Sequence, residues 1–548
     1  MKVENIVIVG GGSAGWMTCA ALLKLCPWVN VVLVESDKPT VGVGESTLGH
    51  INKYMRALGL EDKDWMPACN ATYKNSIQFT NFREIGSTFQ YPFGQYDYTD
   101  TVEGMKDWFD LSRENPIDYP PETFAEFFNK ENCALVKYNK QWDNRDERWR
   151  NFNWLTDVAY HMDATLFGEY LRDTICYPES EKGRFTHIIG EVRGSVKDIE
   201  RGGSPAASNR EIKQLAVRLI EDQRTIGVIG DLFIDCTGFS SILLEQYLGT
   251  RFIKFDDLAN DKAFFARIPY VTQEHREKHM HNVTDCEAAE NGWMWTIPLW
   301  NRIGVGYCWS SRFAMKNETE PEFERWIEEK FDVPPGDYEI GEIDIKHGYH
   351  EKAWNLNVLA IGLSYGFVEP LESTGLLTTH ENILRLVDVL NRRKGYVTQM
   401  ERDWFNYAAQ REVIGFSKFV AMHYALSMRT DNPYWRWCTQ RNLWLEEQMA
   451  MNVSVVDNYE RMGSSLDLDQ TMDVNMNGMN YIAAGMGMML GRDWLTDRNP
   501  DELEFVDNAH RAYSKEVYDF VSSDECPSHY DYLKEYIYGG DELRAEFI

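Results

Sequence analysis

The sequence predicts an α/β fold: a parallel sheet opens the chain, strands dominate its middle, and a largely helical region closes it. Three observations carry this. Ile6-Val7-Ile8-Val9 and Val31-Val32-Leu33-Val34-Glu35 are continuous apolar runs, as expected of parallel strands buried on both faces. A glycine turn and a helical pattern over Ser13 to Leu25 lie between them, which makes a β–α–β unit. From Thr379 to about residue 450 the spacing of apolar residues is helical, and Trp, Tyr and Met are dense.

The turn reads Gly10-Gly11-Gly12-Ser13-Ala14-Gly15, a G-x-G-x-x-G between strand and helix. Gly10 permits the tight turn, Gly12 lets the backbone approach a pyrophosphate, and Gly15 lets helix and strand pack closely. Ser13 and Ala14 begin a helix whose free N–H groups favour an anion. Glu35 ends the second strand, where an acid grips a ribose hydroxyl. A dinucleotide is therefore expected, and the motif alone does not separate FAD from NAD. Two later strands run into glycine turns, Asp231 to Gly238 and Val358 to Ser364 with Gly362. Such late returns favour an extended FAD. No second G-x-G-x-x-G follows, which points to reduction of the flavin elsewhere.

The remaining elements follow in order. Over Asn70 to Phe79 a single strand is expected, with Tyr73, Ile77 and Phe79 on one face and Thr72, Lys74, Ser76 and Gln78 on a polar one. Residues 85–160 crowd Tyr, Phe, Trp, Pro and Asp and read as an irregular insertion that shapes a cavity. His161 to Thr174 reads as helix and residues 185–235 as strands. In Asn291 to Trp300, NGWMWTIPLW, Trp293 and Trp295 point the same way if the stretch is a strand, and Pro298 ends it. Such a pair is either core or a wall between two compartments. Ile303 to Trp309 and Asn357 to Ser364 read as further strands. The expected organisation is a cofactor module over residues 1–400 carrying the 85–160 insertion, and a mainly helical substrate-site module over 401–548.

Composition narrows the function. The 548 residues carry 86 Asp and Glu against 56 Lys and Arg, a net charge of −30, which disfavours nucleic acid and anionic membranes as partners. The cysteines are scattered with no C-x-x-C, and no leader or membrane-length apolar run is seen, which reads as a cytoplasmic chain with reduced thiols. No metal-binding spacing occurs. A homo-oligomer stays open.

Beyond these readings, the motifs resemble those of the flavin-dependent tryptophan halogenases, relatives of the flavin monooxygenases. The resemblance rests on Gly10 to Gly15 followed by Trp16, on Trp293-Met294-Trp295-Thr296-Ile297-Pro298 as W-x-W-x-I-P, and on Phe367-Val368-Glu369-Pro370-Leu371-Glu372-Ser373-Thr374-Gly375. Weaker similarity covers most of residues 1–430. It implies a flavin monooxygenase-like fold, with a Rossmann-type FAD-binding unit and a helical region completing the substrate site. It also implies a two-component enzyme that receives FADH2 from a separate flavin reductase. A flavin hydroperoxide would oxidise chloride, bromide or iodide to hypohalous acid, which halogenates an indole or other electron-rich aromatic.

By the same resemblance, Lys74 is the catalytic lysine and Glu372 its partner carboxylate. Thr374 and Gly375 bind halide through their N–H groups, and Trp293, Trp295, Ile297 and Pro298 separate flavin from substrate. Phe93 keeps a ring for stacking. The match frays at substrate recognition: Tyr91 replaces a histidine, and Ser464 to Met476 lacks the aromatic clamp for free tryptophan. Uncharged indoles are therefore expected in preference to tryptophan. The rivals are an FAD-dependent aromatic hydroxylase, which has no need of Lys74, Glu372 or an indole wall, and a non-enzymatic flavin-binding protein.

Overall fold

The computed structural model describes residues 1–38, 44–94, 102–149, 152–197, 211–440, 476–487 and 499–539. The opening unit is as the pattern predicts, with the helix at its expected bounds and each strand starting one residue earlier: strand Asn5–Val9, helix Ser13–Leu25 and strand Asn30–Glu35. The two strands pair in parallel with Val9 opposite Val34. They lie within an eight-stranded sheet ordered Thr225–Ile229, Ile212–Leu219, Phe185–Lys197, Asn30–Glu35, Asn5–Val9, Leu232–Asp235, Val358–Ala360 and Trp354–Asn355. Its centre is parallel and its margins are antiparallel. Ile6, Val7, Ile8, Leu33 and Ile234 are buried, as continuous apolar runs require.

A seven-stranded sheet runs Gly341–Asp344, Lys262–Pro269, Arg302–Trp309, Gly292–Pro298, Val283–Ala288, Ser76–Thr80 and Thr88–Pro92. It carries the tryptophan strand at its middle. A small sheet of Glu45–Ser46, Ala159–Met162 and Thr72–Lys74 sits beside it. Helix Thr374–Arg392 packs on helix Ser13–Leu25, and helix Gln399–Ala425 packs on Thr374–Arg392 in turn.

Four expectations are corrected. The 85–160 segment is not irregular: it holds helices Val102–Glu114, Thr123–Phe128, Lys130–Lys137 and Trp154–Asp157. Phe124, Phe127 and Phe128 are all buried, so aromatic crowding hides the helical period. The segment His161 to Thr174 starts as strand, because Ala159–Met162 is buried throughout. Its helix begins after Asp163, whose carboxylate accepts from the N–H groups of Thr165 and Leu166. The buried strand near Asn357 is only Val358–Ala360, because Gly362 turns the chain at φ +70°.

The fourth correction bears on function: Asn70 to Phe79 is two strands, not one. Asn75 breaks it, donating its N–H to Asn282 O at 2.8 Å and accepting from Phe93 N–H at 3.0 Å. Thr72–Lys74 and Ser76–Thr80 therefore join different sheets.

The later helices close the molecule over the 85–160 segment. Helix Pro500–Val521 packs on Val102–Glu114 and Lys130–Lys137, with Val517, Val521 and Cys526 joining Ala134, Leu135, Trp149 and Phe152 in one apolar cluster. The Trp300 ring stacks with those of Tyr538, at 3.9 Å, and Tyr530, at 5.5 Å. All ten cysteines are buried and unpaired. No helix among the described residues is long and apolar enough to cross a membrane.

Candidate active site

The glycine turn fits a pyrophosphate. Gly10 has φ +114°, and a Cβ there would lie 2.2 Å from Cys236 O. A Cβ on Gly15 would lie 1.9 Å from Gly10 O, so helix and strand touch through backbone alone. The first turn of helix Ser13–Leu25 holds no acid and Gly12 offers no side-chain cap, which leaves its leading N–H groups suited to an anion. Ser13 Oγ donates to Ala164 O at 3.0 Å. Glu35 leans over Gly11, and its Oε1 lies 2.9 Å from His187 Nε2. The late loop returns as expected: a Cβ on Gly362 would stand 3.0 Å from that of Ala14.

Lys74 does not line an open channel. It is 0 % exposed, and Nζ donates to Thr47 O and Ser373 Oγ, each at 2.9 Å. The Phe93 ring lies 5.0 Å from Nζ. Burial pulls the Lys74 amine down to about 7, against the opposing pull of Cys286 and Glu372. Glu372 is buried in the same chamber, and burial raises its carboxyl.

The sequence held no signal for the partner of Glu372. His423 Nε2, from helix Gln399–Ala425, lies 2.6 Å from Glu372 Oε1. The contact is a close approach rather than a well-aligned hydrogen bond, since neither carboxylate oxygen has an aligned partner among the described residues. His423 Nδ1 sits 2.9 Å from Phe419 O, where it can only donate.

Ser373, at φ +57°, turns the chain into helix Thr374–Arg392 without a side-chain cap. Thr374 and Gly375 are its first residues, and the space where Gly375 would carry a Cβ is open. Both line a pocket with Gly362, Thr378, Glu412 and Phe416. Glu412 is raised to about 7 by burial, opposed by Arg385, whose Nη2 lies 3.1 Å away.

Trp293 and Trp295 share one face of strand Gly292–Pro298, with ring centroids 5.7 Å apart. Trp293 Nε1 donates to Glu369 Oε2 at 2.8 Å. Asn260 Nδ2 at 2.7 Å and Tyr424 OH at 3.0 Å converge on the same oxygen. The Trp295 indole lies over Gly306, where a Cβ would come within 2.0 Å of it. Ile297 and Pro298 are buried, and Pro298 O accepts from Thr72 Oγ1 at 2.7 Å. The end of the tryptophan strand is thus bonded to the strand that carries Lys74.

Beside Phe93, Tyr91 makes an edge contact at 5.7 Å and a tilted one with Tyr481 at 5.9 Å. The expectation for Ser464 to Met476 lies, apart from Met476 at the start of helix Met476–Gly485, outside the described residues.

The family model for tryptophan halogenase matches residues 5–492. The chain is 32% identical to the 7-chloro-L-tryptophan 6-halogenase KtzR of Kutzneria sp. (strain 744), over 96% of this chain and 98% of that one. It superposes on the apo structure of VirX1 with a TM-score of 0.86 and 46% identity, covering 98% of this chain and 100% of that one. For the tryptophan 6-halogenase SttH from Streptomyces toxytricini the TM-score is 0.76 at 30% identity, with 97% and 99% covered. With the family model matched over residues 5–492 and fold and length shared, the chain belongs to the tryptophan halogenase family of flavin-dependent enzymes.

Proposed function

We propose that the chain is a two-component, FADH2-dependent halogenase that substitutes chloride-, bromide- or iodide-derived halogen onto an indole or another electron-rich aromatic. The observation that carries this reading is the burial of Lys74 beside Phe93, with Glu372 in the same chamber and Ser373 bonded to Nζ. A solvated lysine needs none of these. Bound FADH2, delivered by a separate flavin reductase, supplies with oxygen the oxidising power that turns halide into hypohalous acid.

The chain's own groups do the rest. The helix N-terminus at Thr374 and Gly375 favours a halide ion. Trp293, Trp295, Ile297 and Pro298 keep the aromatic substrate away from the flavin. Lys74 receives the hypohalous acid next to the ring that lies on Phe93, by hydrogen bond from its ammonium, or by attack of its neutral amine on the halogen, which breaks the O–halogen bond, forms N–halogen and releases water. Glu372 takes the proton from the halogenated ring as general base, and His423 holds that carboxylate in place.

Substrate choice follows from charge. KtzR and SttH are named for tryptophan, which brings an ammonium and a carboxylate. Buried unpaired charges cost several kcal/mol, in order of magnitude, and the ring cluster of Tyr91, Phe93 and Tyr481 suits an uncharged aromatic better. The test offers equal indole and tryptophan with reductase, oxygen, and chloride or bromide, and reads products by mass spectrometry. Haloindole in excess is expected. Dominant halotryptophan would overturn the substrate reading, hydroxylated product would favour a monooxygenase, and no product at all a flavin-binding protein.

A further inference from the structure

A line of buried hydroxyl groups leads away from Lys74. Ser373 Oγ accepts from Lys74 Nζ at 2.9 Å and donates to Ser46 Oγ at 3.0 Å. Ser46 Oγ lies 2.7 Å from Thr284 Oγ1, which lies 2.8 Å from His161 Nε2. His161 Nδ1 is 3.4 Å from Thr72 Oγ1, which donates to Pro298 O at 2.7 Å. Ser46, Thr72, His161, Thr284, Ser373 and Lys74 are all buried.

Proton counting is met by one direction along this line. Each hydroxyl has one proton to give. If Ser373 accepts from the Lys74 ammonium, its proton goes to Ser46, that of Ser46 to Thr284, and that of Thr284 to the Nε2 lone pair. His161 is then neutral and carries its proton on Nδ1, facing Thr72, whose own proton goes to Pro298 O. Burial, with help from Lys74 and His529, keeps His161 well below its usual range and so neutral. The carbonyl at one end and the ammonium at the other agree on a single orientation.

We propose that Ser46 and Thr284 are positioning residues for Lys74: with neutral His161 they fix Ser373 as an acceptor and thereby stabilise the Lys74 ammonium inside the protein. The chain opposes the burial that lowers Lys74 and holds its titration near the working pH. The other ionisable groups facing Lys74 are Glu372, backed by His423, and Cys286, with His161 beyond the hydroxyls. None of the variants below alters them. The catalytic meaning of the proposal rests on the halogenase reading; the titration of Lys74 does not.

The experiment uses the full chain labelled with ε-¹³C-lysine, with the Lys74 resonance assigned by its loss in Lys74→Met. Thr284→Val is nearly isosteric and cuts the chain at its middle. It should move the Lys74 midpoint to lower pH by about one unit, the scale of a hydrogen bond to a charged group. Ser46→Ala cuts the chain on another strand and should move it the same way. Thr284→Ser restores a hydroxyl while losing a methyl group, and should return the midpoint towards that of the parent. An unmoved midpoint in both Thr284→Val and Ser46→Ala overturns the proposal, as does a Thr284→Ser midpoint equal to that of Thr284→Val. If Thr284→Val does not fold, Ser46→Ala decides. The limb of the product-formation pH profile set by Lys74 should shift with the midpoint. A shifted midpoint with an unshifted profile upholds the chain and removes Lys74 from halogenation.

Discussion

The Gly10–Gly15 turn and the chamber around Lys74 are built from different ranges of the chain. The turn is contiguous, closed by Glu35 and by backbone contact with Cys236. The chamber gathers Lys74 from the end of one strand, Thr47 and Phe93 from just beyond two others, Glu372 and Ser373 from a turn, and His423 from a helix. The turn suits a charged ligand through backbone N–H groups, which cost nothing to leave in place. The chamber instead buries its own ionisable side chains, with Lys74 drawn down to about 7 and Glu372 raised. A charged group so placed is held against its own desolvation, which is how reactive protonation states arise at neutral pH.

The sharpest way to test this contrast is to empty the chamber and leave the turn alone. Lys74→Met should bind FAD and consume oxygen normally, while halogenated product falls by about 10²–10⁴-fold. Oxygen uptake and product mass spectrometry on the same sample check both halves. Product at the parent rate would make the chamber ordinary core.

The converse is Gly15→Ala, whose Cβ would lie 1.9 Å from Gly10 O. Helix and strand must part, so FAD affinity should fall by about 100-fold, or roughly 2.7 kcal/mol, with the Lys74 midpoint unchanged. Fluorescence titration of FAD measures the first and ε-¹³C-lysine NMR the second. A midpoint that moved would show the two regions to be coupled.

The chamber should also mark stability against pH. Lys74 titrates near 7 in the folded chain and at its ordinary 10.5 when unfolded, so the unfolded state binds more protons between those values. Stability from this group therefore rises with pH across that window, and its penalty is fully present below pH 7. Relative to Lys74→Met, the parent should gain about 2–3 kcal/mol between pH 7 and 9. Urea denaturation at both pH values measures the difference, and parallel behaviour of the two proteins would deny the burial.

The smallest effect concerns the tryptophan strand Gly292–Pro298. Trp293→Phe removes one of the three donors to Glu369 Oε2. A loss of about 1–2 kcal/mol of stability is expected, read as a shift in urea midpoint. No loss would mean that Asn260 and Tyr424 alone satisfy the carboxylate.

What the sequence by itself determined is local or periodic. The β–α–β unit matched to within one residue because apolar runs, a glycine turn and a helical period each act within a few positions. The shared face of Trp293 and Trp295, and the end of their strand at Pro298, followed from the two-residue repeat of a strand. Tertiary structure alone decided the break at Asn75, because its hydrogen bonds reach Asn282 and Phe93. Only the fold brings His423 to Glu372, and Ser46, Thr284 and His161 into one line with Lys74. The reason is physical: periodicity reports which face is buried, whereas the partner of a buried polar group is whichever side chain the packing of separate elements carries to it. The chamber's chemistry rests on such partners.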